Sequence, residues 1–235
     1  MRLFFLSMIH LTAMCATGHA QEIFKTTGGK PPEHLLPLQH GSPHSLDLLS
    51  GPTDIGFYLR EPSFGPEASL SFESNPPRAT DPFNESEKSG PVVHIATVLE
   101  LNINRRLVSD EALVRNRYTA EIDPELMTRV SRLWSLFLLQ TSHPRANRTG
   151  LDGTEHFFAV RVEGYDLIQG QTWSPPKESL PGRFVAFAEK FIAMVKSDKK
   201  ITPEERESLM TDLAALDAKL TARESALEKM DSRED

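Results

Sequence analysis

Residues 152–195 constrain the fold more than any other stretch of this chain, reading DGTEHFFAVRVEGYDLIQGQTWSPPKESLPGRFVAFAEKFIAMV. Phe158, Val160 and Val162 alternate with Ala159, Arg161 and Glu163, which is the period of a half-buried strand. Glu163-Gly164-Tyr165-Asp166 supplies a turn, and residues 167–173 return with Leu167 and Trp173 on one face. Pro175 and Pro176 have no N–H to give to a ladder, so sheet pairing stops there. Ser179 then caps a helix whose buried face is Phe184, Phe187, Ala188, Phe191 and Val195. Hairpin, proline corner and amphipathic helix follow one another without a gap.

Strand patterns also precede this stretch. Residues 54–60 place Ile55, Phe57 and Leu59 on one face, and residues 68–73 place Leu70 and Phe72 in phase across a turn at 61–66. The longest strand pattern is 91–104. Val93, Ile95, Thr97, Leu99, Leu101 and Ile103 share one face, and His94, Glu100, Asn102 and Asn104 lie on the other beside Val92, Ala96 and Val98. A short strand or turn is expected at 113–120. Residues 74–90 are polar and proline-bearing, and read as a loop.

Helices come late. Asp123 followed by Pro124 is the preferred cap and first position of a helix. Leu126, Val130, Leu133, Trp134, Phe137 and Leu138 make its stripe, which ends before His143-Pro144. Thr202-Pro203-Glu204-Glu205 is a capping box, and Leu209, Leu213, Leu216, Leu220, Leu227 and Met230 continue from it, with Arg223 breaking the heptad series. A helical hairpin joined at 197–201 and fraying after about Arg223 is expected. Strands early and helices late predict an α+β fold: a mostly antiparallel sheet of four to six strands, helices packed on one face and a C-terminal helical hairpin.

Arg2, the apolar run at 3–16 and the small residues Gly18 and Ala20 form the pattern of a secretory signal cleaved after Ala20, which predicts a periplasmic or secreted protein. Met14 before Cys15 disfavours a lipidated cysteine. Cleavage removes the one cysteine, so the exported chain makes no disulfide, which fits a bacterial periplasm better than a eukaryotic exterior. No later run is long and apolar enough to span a bilayer. The formal net charge of −7 argues against nucleic acid as a partner. Eleven of the 17 prolines fall between Pro31 and Pro91, which separates a loop-rich N-terminal third from an ordinary domain. The expected organisation is a signal peptide at 1–20, a flexible Pro/Gly-rich arm at 21–52, an α+β domain at 53–200 with its loop near 74–90, and a C-terminal helix at 201–235.

The chain holds no motif that specifies a reaction. His34, His40 and His44 are the densest histidine group, but three histidines in a Pro/Gly-rich arm read more simply as solvated than as metal ligands. No nucleophile elbow, phosphate-binding loop or calcium loop is present. Neither a metal nor a cofactor is expected, and no catalytic residue is assigned. These observations predict an exported, non-catalytic binding protein that recognises another protein or a cell-envelope component, an inhibitor- or immunity-like protein being one version. Its binding residues are expected on the hairpin: Trp173, Tyr165 and Arg161. The simpler fate of Trp173 is to pack beneath the helix that begins near Ser179. Two other classes stand beside this one: an envelope enzyme with a site on the 91–104 strand face, centred on His94 and Glu100, and an assembly factor oligomerising through the C-terminal helix.

Overall fold

The computed structural model describes residues 33–38, 46–75, 92–142, 152–197 and 200–231, with backbone alone at 46, 47, 75 and 226–231. Segments that alternate apolar and polar residues pair into one six-stranded antiparallel sheet. The strands β1 (Gly56–Pro62), β2 (Ala68–Asn75), β3 (Val93–Leu101) and β4 (Arg115–Ile122) form a meander. The hairpin of β5 (Thr154–Val162) and β6 (Asp166–Trp173) lies on the free side of β1, so the order is β4-β3-β2-β1-β5-β6.

A one-turn helix, α1 (Leu46–Leu49), precedes the sheet, and three longer helices follow: α2 (Pro124–Leu139), α3 (Leu180–Ser197) and α4 (Pro203–Asp231). α2 lies on β1, β5 and β6, and α3 lies on β3 and β4. α4 packs on α2 and α3 as the outermost layer. The fold is α+β, with its three long helices on one face of the sheet and α3–α4 as a helical hairpin.

Local chemistry sets the helix starts. Asp123 accepts a hydrogen bond from Leu126 N at 3.0 Å, and Pro124 has no N–H to leave unpaired. Both arms of the capping box are made, Thr202 N to the Glu205 carboxylate at 2.9 Å and Glu205 N to Thr202 Oγ1 at 3.2 Å. Ser179 Oγ accepts from Gly182 N at 3.1 Å. A side chain at Gly182 would begin 2.0 Å from Pro176 O, so α3 follows the proline corner this closely only because residue 182 has no Cβ.

Under the helices the sheet presents Tyr58, Leu70, Phe72, Ala96, Val98, Ala120, Ile122, Phe158 and Val160. Its opposite face carries Phe57, Leu59, Leu99, Leu101, Phe157 and Ala159, covered by Leu49 with Leu38, Leu48 and Leu113. In β1 and β3 the bulkier apolar set therefore faces away from the helices. The reason is volume. The helices bring Trp134, Phe137, Phe184, Phe187 and Phe191 to the interface, and an indole leaves so little space at Gly56 that a Cβ there would sit 3.0 Å from Trp134 Cγ. Phe137 and Phe184 stack at 3.9 Å between centroids, joining α2 to α3.

Leu209, Leu213, Leu216 and Leu220 of α4 are buried in the same core. The helix runs on to Asp231, and Arg223 donates from Nη1 to Glu33 O, tying α4 to the segment before the domain. Leu227 and Met230 lie outside the described side chains.

Candidate functional site

The hairpin turn is built by backbone conformation. Gly164 has φ +84° and Asp166 φ +60°, both in the left-handed region, and Tyr165 N bonds Val162 O at 3.0 Å. This leaves the Tyr165 side chain 69% exposed. Arg161 stands near the turn. Its Nη1 bonds Asp166 Oδ1 at 2.7 Å and its Nε lies 3.7 Å from Asp54 Oδ1. Trp173 is at the other end of β6, half-buried, with its ring so close to Gly153 that a Cβ there would lie 2.4 Å from Cζ2. Seven residues of β6 lie between it and Tyr165, a span of about 25 Å. The structure thus groups Arg161 with Tyr165 and leaves Trp173 apart. Trp173 also faces away from α3: the residue of β6 turned to the helices at that end is Thr172, in register with His156, and Trp173 belongs to neither apolar cluster. Strand parity therefore decides against its packing beneath the helix.

Beside Arg161 the outer face of the sheet opens into an apolar pocket of about 190 Å³. Its walls include Leu38, Gly51, Phe57, Phe157, Ala159 and Leu167, with Ser50, Thr53 and Gln169 as polar members. The pocket exists because segment 50–53 lies directly on the sheet. A Cβ at Gly51 would meet Ser71 Oγ at 2.7 Å, and Arg161 N bonds Thr53 O at 2.8 Å. Arg161 is the cross-strand partner of Leu167, so one wall of the pocket adjoins the Arg161–Asp54–Asp166 charge cluster. Pockets of this kind, mostly apolar with a few polar groups at the edge, are the usual form of a small-ligand site.

A second arrangement lies under α3. Asn116, Glu100, Ala68, Arg60, His156 and Thr172 are in register across all six strands and face the helices as one row, polar except for Ala68. Glu189 of α3 accepts from Arg60 Nη1 at 2.6 Å and from Tyr58 Oη at 2.7 Å. Lys196, also of α3, bonds Glu100 at 2.6 and 2.7 Å, its Nζ 5.8 Å from the Tyr118 ring centroid. Tyr58 Oη is also 2.8 Å from His156 Nδ1. The tyrosine has one proton, and the carboxylate of Glu189 can only accept. His156 therefore carries its hydrogen on Nδ1 and donates to Tyr58 Oη.

Burial, with a smaller contribution from the Arg60 charge, pushes His156 down to about 3. Burial and then the Glu189 carboxylate hold the Tyr58 hydroxyl well above its ordinary value. Both groups are neutral near pH 7. The network holds α3 on the sheet through linked charges, Arg60 reaching Glu189 at 2.6 Å and Glu100 at 3.9 Å while Lys196 also bonds Glu100.

His94 and Glu100 share the helix-facing side of β3, as the alternation predicts, but buried Ala96 and Val98 stand between them. His94 Nδ1 is 2.7 Å from Ser74 Oγ, and Glu100 belongs to the row described above. Sequence reasoning did not find Tyr58, His156 or Glu189, which come from three segments with no shared local pattern. Among the described residues no group of three or more His, Cys, Asp or Glu is placed to hold a metal ion, and no helix is long and apolar enough to cross a membrane. His40 and His44 lie outside the described residues. Comparison of the chain with protein-family models, with curated proteins and with solved structures finds no match in any of the three.

Proposed function

We propose that the chain is an exported, non-catalytic binding protein that recognises another protein or a cell-envelope component, taking an apolar group of that ligand into the pocket on the outer face of the sheet. The observation that carries this reading is the 190 Å³ pocket beside Arg161. Apolar cavities of about 150 Å³ accept a benzene ring, so this one has room for a single aromatic ring or a short branched alkyl group. The Arg161–Asp54–Asp166 cluster at the wall supplies the charged neighbours that orient a polar remainder. Export is supported by the apolar run at 3–16 and the small residues before Gln21.

The test is capture from an envelope extract on the immobilised chain beginning at Gln21, read by mass spectrometry, with Ala159→Leu as the control. Ala159 is buried in the outer apolar cluster and lines the pocket, so leucine there fills the cavity. The expected result is a ligand retained by the native chain and lost by Ala159→Leu at an unchanged melting temperature. Equal retention by the two would remove the pocket from the proposal.

A further inference from the structure

The sheet edge beside the pocket is a strand position that the chain itself fills at one end. β6 is the last strand on this side, and Leu36 pairs antiparallel with its Gln171. Leu36 N donates to Gln171 O at 2.9 Å, and Gln171 N to Leu36 O at 2.7 Å. Leu35 turns to the helix side and is buried in that core, where a Cβ at Gly170 would lie 2.8 Å from Leu35 Cβ. Glu33 anchors the same segment, its Oε2 accepting from Leu180 N at 2.8 Å. The pairing is a single bridge, and Leu38 lines the pocket.

The next stretch of this edge is unpaired. Backbone groups of an antiparallel strand alternate in direction, so with Gln171 turned outward, Gln169 and Leu167 also point N–H and C=O away from β5. No described residue pairs with either. Both also line the pocket. Cross-strand partners point to the same side of a sheet, so a residue paired with Gln169 or Leu167 directs its side chain to the outer face, where the pocket lies. Among the described residues the charged groups at this corner are Asp54, Arg161, Glu163 and Asp166, and the guanidinium is already bonded to Asp166. Carboxylates outnumber cations there.

We infer that this edge takes an extended peptide segment of a partner protein by strand addition. Its main chain bonds Gln169 and Leu167, an aromatic or branched apolar side chain enters the pocket, and a basic residue next but one along it meets Asp54, Glu163 and Asp166. The inference rests on the pocket reading above and names the ligand of that pocket. Leu36 shows that the edge accepts an extended backbone, and in strand addition such bonds supply affinity while a pocket for alternate side chains supplies specificity. The unpaired stretch is bounded by the Gly164 turn and by Leu36, so it fits a short segment and not the full-length strand of a second copy. Charge complementarity makes the segment basic.

The experiment titrates acetyl-Lys-Thr-Phe-Thr-Lys-amide, which reads alike in both strand directions, into the isotope-labelled chain beginning at Gln21, followed by NMR. Saturable shifts and slowed hydrogen exchange are expected at the amides of Leu167 and Gln169. Alanine in place of the peptide's phenylalanine should weaken binding at least about tenfold. Methylating the peptide's backbone nitrogens removes its donors without touching the protein, and should weaken binding comparably. So should Gln169→Pro, which deletes an N–H that β5 does not use, with circular dichroism unchanged. Glutamate in place of both lysines should weaken binding most at low salt. No saturable shift at Leu167 and Gln169, or equal binding of the methylated or the glutamate peptide, would overturn the inference. A ligand captured from the extract that Ala159→Leu loses and Gln169→Pro keeps would overturn strand addition and leave the pocket reading standing.

Discussion

His156 shows how a single group can tie stability to pH. Its folded value of about 3 lies below the 6.5 of an exposed imidazole. The unfolded chain therefore takes up a proton between these two values while the folded chain does not. The stability is complete above about pH 6.5, is lost as pH falls toward 3, and changes no further on this account below that. The loss approaches about 1.4 kcal/mol per pH unit inside the window. Urea unfolding at pH 7 and pH 4.5 should show it, and His156→Gln, which keeps a donor for Tyr58, should flatten the slope. Tyr58→Phe is a separate case. It strips the His156 Nδ1–H and one Glu189 oxygen of their common partner, and an unsatisfied buried group costs about 1–3 kcal/mol. Neither effect is visible in the neighbours of His156 along the chain, because every partner that matters comes from β1 or α3.

Elements were the most legible level. Asp123-Pro124 and the Thr202–Glu205 box start helices where local chemistry says they must, and the alternation around Phe158 and Val160 is the alternation of β5. Thr202→Ala should destabilise by about 1 kcal/mol, seen as a lower urea midpoint with unchanged slope. Boundaries moved where pairing outlasts the pattern. β1 continues through Glu61 and Pro62 because their backbone pairs with Glu155 and Thr154, although neither residue favours a strand. Gly182 carried no signal at all. Its requirement comes from Pro176 O, a backbone atom of the preceding corner, and Gly182→Ala should force α3 off that corner at a cost of roughly 1–3 kcal/mol or more by chemical denaturation.

For the whole molecule, the leucine series of α4 accounts for internal packing. Leu209, Leu213, Leu216 and Leu220 are buried against α2 and α3, so this stripe is already covered within one chain. Leu213→Asp should therefore lower the melting temperature steeply, since it places a charge in the core, and sedimentation velocity should give a single-chain mass for the native protein. A native mass of two or more chains that falls to one in the variant would reverse this conclusion.

Periodicity and caps by themselves determined the class of the fold, the hairpin, the starts of α2 and α4 and the faces of β2 and β5, because those depend on neighbours within a few residues. Only the tertiary structure decided that β5 and β6 join the meander beside β1, that Trp173 faces away from α3, and that Arg60, Glu100 and His156 stand in one row beneath Glu189 and Lys196. Register across six strands, with α3 laid over it, brings together groups as far apart in sequence as Tyr58 and Glu189, 131 residues. Long-range packing energy selects that register, and local residue patterns contain no record of it.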